Sequence, residues 1–120
     1  MTTWAKMNPK AKCDMLARDV MHWTPNGRGG WTELPRHYGY WNPLHDFWHV
    51  HDFIQPAIVK AKLLNSYLRY LARLTHVMSD ADDSIRDVQP LNAEEVYRMI
   101  HATPEERCHA CALAFKLVQS

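Results

Sequence analysis

Two histidines and an aspartate in the segment His45–Asp52 have the residue types and spacing that suit a divalent transition metal ion. On a helix that turns by about 100° per residue, His45, His49 and Asp52 fall on one narrow stripe. Imidazole and carboxylate groups are common ligands of such metals. The alternative is that the stripe is the solvated side of an amphipathic helix. The apolar side of that helix then carries Leu44, Phe47, Trp48 and Ile54.

A second motif with possible chemistry is the CxxC sequence formed by Cys108 and Cys111. It lies inside a predicted helix, and the chain has no second CxxC or HxxxH pair to complete a zinc site. Free cysteine behaves as a small hydrophobic residue, so the pattern favours packing in the core. With Cys13 the cysteine count is three, an odd number that argues against a disulfide framework.

A cationic stripe on the longest predicted helix is the first candidate binding surface. Lys62, Arg69 and Arg73 lie on it, beside the aromatic rings of Tyr67 and Tyr70. Arginine makes bidentate contacts with phosphate groups, and aromatic rings stack on bases, so the stripe suits a nucleotide or another anion. The alternative is an ordinary solvated helix face.

The aromatic segment that precedes His45 is the second candidate surface. Tyr38 and Trp41 lie in it, with Arg28 and Arg36 nearby. This composition is typical of an interface hot spot or a stacking platform. The alternative is that the aromatic residues form the inner face of a small sheet.

Five helices are predicted to position these residues. Capping signals at Asn8-Pro9 and at Thr103-Pro104 start the first and the last of them. Apolar residues at helical spacing define their lengths. The predicted helices are Pro9–Met21, a second from Asn42 to Gln55, Ala57–Met78, Ala93–His101 and Pro104–Val118.

Between the first two helices the periodicity changes. All four glycines lie between Gly27 and Gly39, and aromatic residues alternate with turn residues. We expect short strands near Val20–Trp23, Gly30–Leu34 and His37–Trp41. The predicted fold is therefore α+β: one domain spanning residues 1–120, mostly helical, with a small antiparallel sheet near residues 20–41 packed on helices.

Charge and hydropathy exclude several classes of protein. The 14 Lys and Arg residues balance 13 Asp and Glu residues, and the net charge is +1. This excludes a strongly basic nucleic-acid binder and a strongly acidic DNA mimic, and no motif predicts sequence-specific binding to duplex DNA. No apolar run approaches the roughly 18 residues of a membrane span. We expect a soluble cytosolic protein.

Two stretches of the chain resemble the phage ABA sandwich domain, a family of small phage and prophage proteins. The first runs from Leu16 to Trp23 and continues after the glycines with Tyr40-Trp41-Asn42-Pro43 and Asp46. The second, Ala102–Ala114, resembles the C-terminal helix of the family. The region between the second and last helices departs from the family, which usually has a second pair of strands there. The resemblance implies a phage accessory protein in the cytoplasm of a bacterial host, and it implies no catalytic residue.

The expected function is that of a non-enzymatic counter-defence protein of the anti-CRISPR or immune-signal-binding type. Its partner would be a host defence protein complex or a nucleotide signal. No cofactor is expected, and the two apolar stripes of the third helix predict a homodimer. Two alternatives stay open: a metal-dependent enzyme that uses His45, His49 and Asp52, and a structural or regulatory phage protein.

Overall fold

A computed structural model describes residues 2–75 and 93–119, and in these residues the chain is mostly helical. Two π-helical segments, Leu16–Val20 and Val50–Ile54, continue α-helices without a break. Short 3-10 turns lie at Trp4–Lys6 and Arg36–Tyr38. The α-helices are α1 (Pro9–Met15), α2 (Phe47–His49), α3 (Gln55–Lys60), α4 (Leu64–Leu74), α5 (Ala93–Ile100) and α6 (Pro104–Ala114).

The helix starts predicted at Asn8-Pro9 and Thr103-Pro104 are confirmed, whereas the start predicted at Asn42 is wrong, because that helix begins at Phe47 with Asp46 as its cap. The side chain of Asn8 accepts a hydrogen bond from the backbone N–H of Ala11 at 2.8 Å, ahead of α1. Thr103 and Glu106 form a reciprocal capping box ahead of α6, with bonds of 2.8 and 3.0 Å. These bonds satisfy N–H groups that the first turn of a helix otherwise leaves without partners.

The predicted antiparallel sheet near residues 20–41 is wrong, and with it the α+β class. The described residues contain no strand, and the segment has a single isolated antiparallel pair, Pro25 with Trp31. Side chains take backbone N–H groups that a sheet would need: Asn26 accepts from Gly30, and Glu33 accepts from Thr24. The first predicted strand begins in the π-helical segment Leu16–Val20, because the helix runs further than its α-helical part.

The long third helix is broken in two. Lys62 has a φ of 61°, in the left-handed region that ends helices, and it separates α3 from α4. The N–H of Leu63 donates to the carbonyl of Ile58, and the N–H of Lys62 donates to the carbonyl of Val59. This pair of bonds is the Schellman motif, in which glycine usually holds the left-handed position. The same motif ends α6 at Lys116, with a φ of 59°.

The core lies where α4 packs against α6 and where the π-helical segment Val50–Ile54 meets α6. Its fully buried side chains include Leu16, Ile54, Ile58 and Cys108. The long loop before α2 is pinned to this core by two bonds. The indole of Trp41 donates to the carbonyl of Cys13 at 2.9 Å, and the thiol of Cys108 donates to the carbonyl of Pro43 at 3.4 Å.

The two ends of the described chain meet. The backbone N–H of Gln119 donates to the carbonyl of Thr2 at 3.0 Å, and Thr3 pairs with Gln119 in parallel orientation. Residues 76–92, which include the end of the third predicted helix, lie outside the described residues. In residues 2–75 and 93–119, no helix is long and apolar enough to cross a membrane.

Candidate functional site

An apolar groove of about 540 Å³ lies between α4 and α5, and Phe47 of α2 also lines it. Leu64 and Leu68 form one wall from α4, and Val96 and Ile100 form the opposite wall from α5. The two pairs have the same spacing of four residues, which places both members of a pair on one face of their helix. The four side chains are exposed, so the groove opens to solvent.

Further apolar side chains widen this exposed face. Phe47, which lines the groove, is 45% exposed, and the neighbouring Trp48 is 61% exposed. Their rings contact edge to face, with centroids 5.4 Å apart. Tyr97, next to Val96, is also exposed. Large contiguous apolar patches are rare on the surface of soluble proteins, and where they occur they mark sites that bind a ligand or a partner.

Three polar side chains lie at the floor of the groove: Gln55, Tyr67 and Arg107. Tyr67 is only 3% exposed, and Gln55 and Arg107 lie within hydrogen-bonding reach of its hydroxyl oxygen. The hydroxyl hydrogen has no acceptor of standard geometry among the described residues. Burial raises the pKa of Tyr67, and the nearby Arg107 charge and Gln55 amide oppose this effect only in part. The hydroxyl therefore stays protonated at neutral pH and can donate a hydrogen bond to a bound molecule.

Arg107 is held in place by the last turn of α5. Its Nε donates to the carbonyl of Ala102 at 3.1 Å, and one Nη donates to the carbonyls of Ile100 and Met99 at 2.7 and 3.4 Å. The carbonyl end of a helix carries partial negative charge, which attracts a guanidinium group. A cation is thereby fixed at the floor of the groove, beside Gln55 and Tyr67.

The three residues of the predicted metal stripe are not presented together. His45 is exposed, whereas His49 is 1% exposed. Nδ1 of His49 accepts from the backbone N–H of Asn42 at 3.0 Å, so its Nε2 carries the proton and donates to the carbonyl of Tyr38 at 3.1 Å. Both ring nitrogens thus hold the preceding loop. No group of three or more His, Cys, Asp or Glu side chains in the described residues is arranged to hold a metal ion.

The expected amphipathic pattern of this helix is only partly correct: Leu44 and Ile54 are buried as expected, but the residues between them are not placed as predicted. Phe47 and Trp48, expected on the buried side, are exposed, and His49, expected on the solvated side, is buried against Trp41 with ring centroids 5.3 Å apart. Helical periodicity places residues by assuming one uniform helix. Here the α-helix begins only at Phe47 and changes to a π-helical segment at Val50, so the assumed angles do not apply.

Asp52 belongs to a separate hydrogen-bonded group. The hydroxyl of Tyr38 donates to Asp52 Oδ2 at 2.6 Å, and His51 contacts Oδ1 at 2.9 Å. These two contacts lower the pKa of Asp52, and the bond to Asp52 raises the pKa of Tyr38. The group fastens the turn Arg36–Tyr38 to the helix.

The residues of the predicted cationic stripe lie in different environments. Lys62 is exposed at the end of α3, and Arg69 is half-buried. The guanidinium of Arg73 lies over the ring of Tyr70, 5.2 Å from its centroid. Tyr67 lies at the floor of the groove, where an incoming base cannot stack on its buried ring. The stripe therefore does not form one stacking surface.

The residues of the predicted aromatic surface also lie in different environments. Trp41 is buried and packs edge to face against Trp23, with centroids 4.8 Å apart. Arg28 and Arg36 are exposed on the surrounding loop. Trp41 therefore acts as a core residue, while the two arginines remain open to solvent.

Cys108 and Cys111 are fully buried, as the packing interpretation of the CxxC motif requires. Burial raises the pKa of Cys111 to about 12, and it raises the pKa of Cys108 as well. Both thiols are therefore protonated at neutral pH and are poor nucleophiles. Cys13 is also buried and free.

Sequence reasoning did not find the groove as a site. The apolar pair in α4 was visible as part of the stripe on the third predicted helix, and Val96 and Ile100 show the same spacing in α5. Gln55 and Arg107 carry no signal of their own, because they become neighbours of Tyr67 only through tertiary packing. A search of family models, curated proteins and solved structures found no match to this chain. The resemblance to the phage family and the counter-defence role that it implies stay predictions.

Proposed function

We propose that this chain is a non-enzymatic binding protein and that the groove between α4 and α5 is its binding site. The observation that carries the proposal is an open, apolar groove with a buried hydroxyl at its floor, that of Tyr67, whose hydrogen has no acceptor of standard geometry among the described residues. Its volume of about 540 Å³ falls within the range of roughly 300 to 1,000 Å³ that is usual for sites of small ligands. Such sites combine apolar walls with a few placed polar groups.

The reactive candidates of the chain support binding rather than catalysis. His49 uses both ring nitrogens to hold backbone groups, and the two buried thiols of α6 are protonated. These groups serve packing and loop attachment. The floor of the groove, by contrast, offers the hydroxyl of Tyr67 as a hydrogen-bond donor to a ligand.

The groove also bears on the kind of ligand. Its walls are aliphatic, so they favour a hydrocarbon or an apolar side chain over the base and phosphates of a nucleotide. Binding of a host protein complex and formation of a homodimer remain proposals that the same exposed face supports. The cytoplasm of a bacterial host is the proposed setting, supported by three free, buried cysteines that suit a reducing compartment.

Binding of the fluorescent probe anilinonaphthalene sulfonate tests the proposal. We expect saturable binding to one site, lost in Leu68→Glu because a carboxylate then stands in the apolar wall. The matched control is Val59→Glu, since Val59 is exposed outside the groove. Equal binding by the two variants, or binding that does not saturate, would show that the groove is not the site. Native mass spectrometry of the purified chain complements this test by detecting any co-purified ligand.

A further inference from the structure

The described residues that line the groove between α4 and α5 carry a positive charge and no negative charge. Among the described residues that line it, Arg107 is the one with a formal charge, and none carries a carboxylate. The guanidinium is already ordered by three contacts to backbone carbonyls at the end of α5. A ligand therefore meets a cation whose side-chain freedom is already lost on folding.

The hydroxyl of Tyr67 adds a directed donor beside this cation. It is buried, it lines the groove, and no described residue accepts its hydrogen with standard geometry, although Gln55 and Arg107 approach its oxygen. A buried polar group without a partner is unfavourable, and a ligand that supplies an acceptor removes that penalty. A carboxylate accepts hydrogen bonds and carries the charge that Arg107 attracts.

The walls of the groove indicate the chemistry of the rest of the ligand, beyond its carboxylate. Leu64 and Leu68 face Val96 and Ile100 with no polar side chain among them, so the body of the ligand must be apolar. An unbranched hydrocarbon chain matches a groove that runs between two helices. The combination of an anionic head and a hydrocarbon body describes an amphiphilic carboxylate.

We propose that the groove binds a small amphiphilic carboxylate of the fatty-acid class. Its carboxylate accepts from the Tyr67 hydroxyl and lies beside Arg107, and its chain lies between α4 and α5. This inference rests on the proposed function, because it names the ligand class of the same groove.

Titration calorimetry with dodecanoate and dodecanol, each below its aggregation concentration, tests the head group on the unmodified chain. The two molecules share a hydrocarbon body and differ in charge. We expect dodecanoate to bind at least about tenfold more tightly, since charge-assisted hydrogen bonds are roughly twice as strong as neutral ones. Equal affinities would overturn the carboxylate while leaving the groove as a binding site. No binding of either molecule would overturn the proposed function as well.

The variant Tyr67→Phe tests the donor. It removes one hydroxyl and keeps the buried ring, so the chain should fold as before, which far-UV circular dichroism checks. We expect the preference for dodecanoate over dodecanol to fall by about three- to tenfold. Tyr70→Phe is the matched control, because it makes the same change three residues later in α4 and should leave the preference unchanged. If Tyr67→Phe keeps the same preference for dodecanoate over dodecanol as the unmodified chain, the role of Tyr67 is refuted.

Discussion

His49 offers the sharpest test of how the long loop is attached. In His49→Leu the apolar volume is largely kept, but the N–H of Asn42 and the carbonyl of Tyr38 lose their partners. An unsatisfied buried group costs about 1 to 3 kcal/mol, and stacking on Trp41 adds about 0.5 to 1.5 kcal/mol. Because the loop groups are only partly buried, we expect the free energy of unfolding to fall by about 3 kcal/mol.

Urea denaturation followed by tryptophan fluorescence measures this change. At the usual dependence on urea, the midpoint should move down by roughly 1 to 3 M with an unchanged slope. His45→Leu is the matched control, since His45 is exposed and its loss should change stability by less than about 0.5 kcal/mol. The experiment is repeated with zinc and with a chelator, where the loss in His49→Leu should be the same. A loss below about 0.5 kcal/mol, or one that appears only with zinc, would refute the attachment role.

Three further predictions concern stability and assembly. Replacing Lys62 or Lys116 by glycine should raise the free energy of unfolding by about 0.5 to 1 kcal/mol in urea titrations, because both residues hold left-handed conformations. Lys60→Gly, within α3, should lower the free energy of unfolding. A lower free energy of unfolding in both Lys62→Gly and Lys116→Gly would contradict this reasoning. Burial lowers the pKa of His109, so the unfolded chain takes up its proton more readily. Stability should therefore decline as the pH falls below about 6.5, and His109→Gln should flatten that decline, whereas an unchanged pH profile would speak against it. Sedimentation equilibrium checks the predicted homodimer, and a mass of 14.0 kDa at every concentration would contradict it.

Local capping chemistry was the most predictable part of the fold. Asn8 and Thr103 start their helices through bonds that span only three residues, so no tertiary information is needed. The break at Lys62 was not predictable in the same way. Apolar spacing continued across it, and the lysine gave no sign of a left-handed cap.

The sheet failed for a different reason. Aromatic residues and turns near residues 20–41 satisfy strand propensity, but a strand also needs a partner for its backbone groups. Asn26 and Glu33 satisfy several of those groups locally, and Trp41 is drawn into the core by its bond to Cys13. Propensity alone cannot weigh these competing contacts.

The candidate site was predictable only in its parts. Tyr67 was singled out from the sequence, but as a stacking ring on a cationic face rather than as a buried donor. Its actual neighbours, Gln55 and Arg107, come from α3 and α6 and are remote in the sequence. Their meeting depends on how α4 packs against α6, which periodicity within one helix does not encode.

The hydrogen bond between Gln119 and Thr2 has a practical consequence for rearranging the chain. Because the two ends are neighbours, a short linker can join them without stretching any helix. New ends can then be opened in the exposed turn between Gly27 and Gly29, where a Cβ added to either glycine would meet no other part of the chain within 4 Å. Such a circular permutant keeps every helix intact while reversing the order of α1 and the remaining helices. Fusion partners attached at the present ends would emerge side by side.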